Sequence, residues 1–473
     1  MKRFIQLMIF ILLTAFCLGK AYGVLSWKDT NVSYQSCVLQ LAETPNDSID
    51  AVFVGSSHVY TGIYPSYLWS SFGISAFDMA ICAMDRDSAY YSIKHLFKTQ
   101  SPRVVMVDLF SLTFETHVYK EHFIRNYLTF PISEDTIPAL NAYAAKDPAV
   151  SENYLDYLTR WPVFHTRYRE LERRDFINDE AALAARGEYL NWAANVIEPI
   201  TPPAPSTSAA LSEDQLNWLK ELDALCREND ASLVLMALPF QSDEDKQALI
   251  DSAFAFAEEN GIPRLDFNRR LDELDLDYNE DFFDDAHPNA YGAKKICAFL
   301  GNYLKENYEL ADHRGDPAYG IWDEDLRYYE HRRDGDALAA ASEDLEETLA
   351  ILSRMKEVTA VISLEGIYQD SALYESLRIL PGISEEDYNA GGKWIWENGE
   401  LTLLMHNDTQ AAPYIRELDD YVTLQVRFTG TRSGHGSILL GRDDHSNYEG
   451  QLSIVVYDSF LHSTLLAKEY TIW

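Results

Sequence analysis

The sequence predicts an α/β domain built on a parallel sheet, followed by an all-β domain. Three observations predict it. Apolar, largely β-branched runs such as Val52–Val54, Val104–Val107 and Leu233–Leu238 carry no polar alternation, so each reads as a strand buried on both faces. Amphipathic helical stretches separate these runs, as in βαβ units. From Thr359 onward the pattern changes to alternation with period two, broken by Gly, Asn and Asp turns.

The chain has 473 residues, enough for two or three domains, and 47% of them are hydrophobic, as in a globular protein. Its 39 Lys and Arg against 75 Asp and Glu leave a net charge of −36. Such acidity argues against nucleic acid or anionic lipid as the partner, because both select basic surfaces. The five cysteines are scattered without a Cys-x-x-Cys pair, so neither a zinc knuckle nor a redox motif is indicated. At the N-terminus Lys2 and Arg3 precede an apolar run from Phe4 to Leu18. Ala21-Tyr22-Gly23 follows as a small-residue cleavage site. Residues 1–23 therefore read as a signal peptide or a membrane anchor. Either reading places the body outside the cell or in its envelope.

Residues 24–47 form a connector with some helix. The α/β domain runs over 48–310. Val52 to Gly55 is its first strand and ends in a tight Gly-Ser-Ser turn. Tyr60, Tyr64, Tyr67 and Trp69 follow, placed to stack on a sugar or acyl chain or to pack a short helix on the sheet. Residues 73–80 and 104–110 supply two more strands around a helix at 87–98. The strand signal then disappears over 113–200, which reads as a helical insertion capping the ligand edge. Ser212-Glu213-Asp214-Gln215 is a capping box opening a helix with Leu216, Leu219, Leu222 and Leu225 on one side. Strands at 232–239 and 261–267 flank a further helix. Ile296, Phe299, Leu300 and Leu304 mark the apolar face of the last one. Residues 311–357 read as a linker and a helix, the charged stretch 312–336 lacking periodicity. Residues 358–473 read as a β-sandwich.

Two stretches carry chemistry. Ser57 lies just past the end of a parallel strand, where α/β sheets place ligands. A serine nucleophile needs a base, and the base needs an orienting acid. Phe282-Phe283-Asp284-Asp285-Ala286-His287-Pro288 supplies both in one loop, as Asp284 and His287. No Gly-x-Ser-x-Gly elbow is present, which disfavours the α/β-hydrolase fold. His-Glu-x-x-His and phosphate-loop motifs are absent too. The acidic run from Asp272 to Asp281 lacks the spaced glycine of a calcium loop, so no metal site is expected.

The order Ser…Asp-x-x-His on this pattern resembles the SGNH/GDSL hydrolase superfamily over roughly residues 48 to 308. It is similar in particular to the Gly-Ser-Ser branch that includes the teichoic-acid D-alanylation and alginate acetylation proteins. The resemblance implies an SGNH-type, flavodoxin-like sheet with Ser57 as nucleophile, His287 as base and Asp284 as its orienter; the motif spacing selects Asp284 over Asp285. It implies an acyltransferase or esterase that adds or removes O-acyl groups, acetyl first among them, on cell-envelope or secreted polysaccharide. It implies no cofactor, and for transfer an acyl donor supplied by a membrane partner. The expected oxyanion donors fall at Ser57, Asp78 and Ala80. An Asp at 78 departs from the family's pattern, since a carboxylate repels an oxyanion unless it is protonated. That departure motivates the alternative of a catalytically degenerate protein that binds or assembles polysaccharide. His58, Tyr60 and His165 are the candidate substrate contacts. In the β-domain, Gly450 to Asp458 resembles a strand of interleukin-like EMT-inducer domains, which implies a carbohydrate or protein interaction module.

Overall fold

The computed structural model describes residues 2–26, 32–113, 127–128, 130, 132–171, 175–176, 186–206, 209–365, 370–407, 412–420, 422–427, 438–445, 451–471. The chain divides into two compact units, residues 1–326 and 327–473.

The first unit holds a five-stranded sheet in the order β2-β1-β3-β4-β5, formed by β1 (Ala51–Gly55), β2 (Ala76–Ala80), β3 (Val104–Asp108), β4 (Ser232–Ala237) and β5 (Arg264–Asp266). Every pairing is parallel. This is the flavodoxin-like order expected from the sequence. Its sequence order reverses between β1 and β3, so a crevice opens beyond the carboxyl ends of those two strands. The first three strands are buried at every residue, which explains their lack of alternation. One face carries α2 (Val32–Glu43) and α5 (Arg86–Leu96), with the helices Glu213–Glu228 and Glu244–Glu259. The capping box at Ser212 is present, with Ser212 and Gln215 exchanging hydrogen bonds. On the other side, α3 (Ser57–Gly62) and α4 (Pro65–Phe72) pack against the helix Ala290–Tyr308. Tyr64 is wholly buried there, and Trp69 is wholly buried in the first core beside Trp322, so packing accounts for both.

The insertion is helical in part. Four short helices fill residues 136–164. Residues 188–206 are extended instead, which corrects the expectation of helix to residue 200. They lack periodicity because their hydrogen bonds go to scattered groups, among them Tyr60 O, Tyr278 O, Phe282 O and the Gln241 and Asp251 side chains. Gly187 (φ +91°) brings this segment against β2: a Cβ there would lie 2.1 Å from the Asp78 carbonyl oxygen, and Asp78 N donates to Arg186 O at 2.9 Å. The open edge of β2 is thereby covered. Residues 312–336, expected as a linker, instead contribute to a helix at Gly320–Ala340. Trp322 at its start is buried in the first core and donates to Ala76 O at 3.1 Å.

The second unit is a sandwich. Its sheets run β14-β13-β6-β7-β8 and β12-β11-β10-β9, and all their pairings are antiparallel. In the larger sheet, β6 is Val358–Leu364, β7 Gly392–Glu397, β8 Glu400–His406, β13 Gln451–Asp458 and β14 Ser463–Thr471. In the smaller, β9 is Tyr414–Glu417, β10 Thr423–Val426, β11 Ile438–Leu440 and β12 Asp443–Asp444. Val361, Ile395 and Val455 of one sheet meet Leu424, Val426 and Ile438 of the other. The larger sheet's outer face is covered by Leu349, Leu352, Leu373 and Leu377 from helices. No disulfide joins any of the five cysteines.

A buried polar cluster lies beside β2. Glu188 accepts from Ser66 N (3.0 Å) and Ser66 Oγ (2.8 Å). Arg186 and Asp325 sit 2.8 Å apart, both only 2% exposed, without hydrogen-bond alignment. Burial pushes the Glu188 carboxyl up to about 8, against the pull of the Ser66 bonds. Burial, then Glu188, raises Asp78 well above the carboxylate range. Both groups bind protons more tightly folded than unfolded. Each contribution to stability is therefore full below the ordinary carboxylate pKa and is lost as pH rises through the group's raised value, about 8 for Glu188. The thermal midpoint should fall between pH 5 and pH 8, and Glu188→Gln should flatten that fall. A rising midpoint, or an unchanged slope in the variant, would contradict the assignment.

Candidate active site

Ser57 is placed by the end of the central strand. β1 stops at Gly55, Ser56 is the extended N-cap, and Ser57 opens α3. The turn is tight enough to require glycine, since a Cβ on Gly55 would lie 2.5 Å from Val59 Cγ2 and 2.9 Å from Asp108 Cβ. Val59 N donates to Ser56 O at 3.0 Å, and Thr61 Oγ1 donates to Ser57 O at 2.7 Å.

The loop bearing Asp284 and His287 is tied from three sides. Phe283 N donates to His287 O (3.1 Å) and Asn289 N to Asp281 O (2.9 Å), closing the loop on itself. From the extended segment, Asn195 N donates to Phe282 O (2.8 Å), and Asn191 O accepts from Ala290 N (2.7 Å). Asn289 then caps the helix Ala290–Tyr308, its Oδ1 accepting from Tyr291 N and Gly292 N. Gly292 permits the helix to approach, because a Cβ there would lie 2.4 Å from Asp281 O.

These two constructions bring three side chains into line. His287 Nε2 lies 2.7 Å from Ser57 Oγ. His287 Nδ1 lies 2.8 and 2.9 Å from the two Asp284 oxygens. Asp284 Oδ1 also accepts from the backbone N–H of Ala286 and of His287, each at 2.9 Å. The carboxylate is thus held by its own loop, and it holds the ring. With Nδ1–H donated to Asp284, Nε2 is left to accept from Ser57. Phe283 stacks on the imidazole at 5.2 Å and 11°. Asp285 makes none of these contacts.

The remaining sequence candidates fall in different places. His58 is buried, its ring 4.0 Å from that of Phe110, 5.2 Å from Phe240 and 5.4 Å from His287. Burial, then the charge of His287, pushes it down to about 3, so it is neutral. The Tyr60 hydroxyl faces Ser57 and Cys82, and burial raises its pKa. His165 is exposed, and its Nδ1 meets Pro162 O at 2.8 Å; none of its contacts is with Ser57, Asp284 or His287. Ala80 is the register partner of Gly55, level with the serine turn. Asp78 pairs with Phe53, two residues or about 7 Å deeper along the strand. Its neighbours are Glu188, Cys37 and Cys297. This corrects its expected place among oxyanion donors: Asp78 belongs to the buried cluster. Sequence reading missed Cys82, and missed Asn191 and Asn195 because an irregular segment leaves no periodic signal.

No protein-family profile and no curated protein matches the chain. Among solved structures it is similar to a Bacteroides fragilis protein described as an acylhydrolase: 14% identity, 60% of this chain and 100% of that one, TM-score 0.30. It is similar also to a GDSL-like lipase from Bacteroides thetaiotaomicron (11% identity, 58% and 98%, TM-score 0.30). A third is a lipolytic protein of the G-D-S-L family from Desulfitobacterium hafniense (11% identity, 54% and 99%, TM-score 0.28). Such likenesses carry no weight for this chain's chemistry, which rests on its own geometry.

Gly292→Ala should shift the loop off Asp281 and lower kcat/KM for an activated ester by about 100-fold, the scale of a misplacement near 1 Å. An unchanged rate in a folded variant would show that this approach does not position His287.

Proposed function

We propose that the chain is an exported serine-dependent acyl-transfer enzyme, acting as an esterase or O-acyltransferase through an acyl-Ser57 intermediate. The observation that supports it is His287 bridging Ser57 Oγ and Asp284 within hydrogen-bond distance on both sides. In the first half-reaction Ser57 Oγ attacks an acyl carbonyl while its proton passes to His287 Nε2. Asp284 stabilises the imidazolium and fixes the ring. The collapsing intermediate expels the leaving oxygen, which takes the proton from His287. In the second half, water or a sugar hydroxyl gives its proton to His287 and attacks the acyl-serine, restoring Ser57. Water makes the enzyme an esterase, and a sugar hydroxyl makes it a transferase.

We assign the backbone N–H of Ser57 to the developing oxyanion, with the end of β2 at Ala80 as the neighbouring wall. The substrate class we favour is O-acylated cell-envelope or secreted polysaccharide. The apolar N-terminal helix and the β-sandwich unit support that reading. Neutral His58 and the Phe110 and Phe240 rings give this side of His287 an apolar lining suited to a short acyl group.

Ser57→Ala should lower kcat/KM for an activated acetyl ester by roughly 1,000-fold or more. Asp284→Asn should lower kcat with little change in KM, because the carboxylate acts through His287. Equal turnover by wild type and Ser57→Ala would contradict the enzyme reading and favour a binding protein.

A further inference from the structure

The first unit carries a surface that the acyl-transfer reading does not use. α1 (Lys2–Leu25) is exposed along the apolar window that qualifies it as a membrane span. At 1.5 Å per residue the stretch from Phe4 to Ala21, short of the packed last turn, reaches about 27 Å, close to the roughly 30 Å of a hydrocarbon core. Its last turn is built into the insertion. Tyr22 meets Phe164 edge-on at 5.9 Å, and Tyr22 and Leu25 pack on the core formed by Leu140, Tyr143, Tyr157 and Phe164. Arg167 Nη1 donates to the carbonyl oxygens of Leu25 (3.1 Å) and Ser26, while its Nη2 reaches Asp175 at 2.9 Å. Cleavage near Ala21-Tyr22-Gly23 would sever this junction.

The elements around the junction expose apolar side chains. Outside α1, eight large apolar residues among the described residues of this unit are exposed, and six lie within 132–176: Ile132, Ile137, Leu155, Trp161, Tyr168 and Phe176. The other two, Val196 and Tyr291, lie elsewhere in the chain. Trp161 and Tyr168 sit on the helix Trp161–Phe164 and the turn His165–Arg169, the elements that touch α1. Trp and Tyr are the residues enriched where a bilayer meets water. The chain's acidity, which disfavours an anionic surface, falls over 132–176 to six Lys and Arg against eight Asp and Glu, 6 − 8 = −2, and is reversed only next to Trp161 and Tyr168. Residues 160–175 hold five Arg against two Glu and one Asp, a local charge of 5 − 3 = +2 in a chain of −36.

We propose that α1 is retained as an anchor and that the helical insertion rests on the bilayer surface where α1 emerges, with Trp161 and Tyr168 in the interfacial zone. This does not depend on the catalytic reading. Exposed aromatics beside a spanning helix gain by burial at the lipid interface, and the exposed Arg169 beside Tyr168 is placed to meet a lipid phosphate. Lys2 and Arg3 keep the opposite end inside, so the surface faces the outer leaflet.

The test uses the full chain in nanodiscs of phosphatidylethanolamine and phosphatidylglycerol. The photoreactive residue benzoylphenylalanine replaces Trp161, Tyr168, Val196 or Tyr291 in turn, with Leu12 in α1 as the positive control. Illumination should give lipid adducts by mass spectrometry at 161 and 168 on the order of those at 12, and none above background at 196 and 291. Adducts at 12 without adducts at 161 and 168 would overturn the proposal. Crosslinking of 161 and 168 to a protein rather than to lipid in the parent membranes would assign the surface to a protein partner and overturn it too.

Discussion

The contact between His287 Nε2 and Ser57 Oγ joins residues 230 apart in sequence, and much of the first unit is arranged around it. A hydroxyl and an imidazole gain little net free energy from one hydrogen bond. The pair therefore meets only because rigid elements deliver each side. β1, buried in mid-sheet, delivers the serine. A short loop tied to the extended segment and to the cap of the helix Ala290–Tyr308 delivers the histidine. Glycines at 55 and 292 stand where backbone and side chains approach too closely for a Cβ.

Much of this was legible in the sequence. Strands buried on both faces leave unalternating apolar runs, and β1, β3 and β4 were readable for that reason. Ser57, Asp284 and His287 were readable because a nucleophile, a base and an orienter are scarce residue types at informative spacings. The same burial hid strands in the second unit. β6 is covered by a sheet on one face and helices on the other, so it lacks the alternation that marks a sandwich strand. The helix Gly320–Ala340 was hidden differently: its acidic and aromatic residues leave no single apolar stripe, and tertiary contacts such as Trp322 hold it. The extended segment 188–206 was illegible because its hydrogen bonds go to scattered groups on distant loops and helices.

Asp78 shows where residue type alone misleads. A carboxylate near a serine turn reads as chemistry, but strand register places it deeper, beside Glu188 and away from water. Two adjacent buried carboxyls are tolerated by staying protonated, and the Arg186–Asp325 pair neighbours them as the charged members of the cluster. The site and this cluster share β2 and the 186–195 segment. The cover that seals the sheet edge is thus continuous with the backbone that ties the histidine loop.

The central claim is that Ser57 becomes acylated. The most direct test is the intact mass of the protein after exposure to an activated acetyl ester, wild type beside Ser57→Ala. The account predicts a single acetyl adduct in the wild type, located on Ser57 and absent from the variant. No adduct in the wild type, or the same adduct in both proteins, would contradict it.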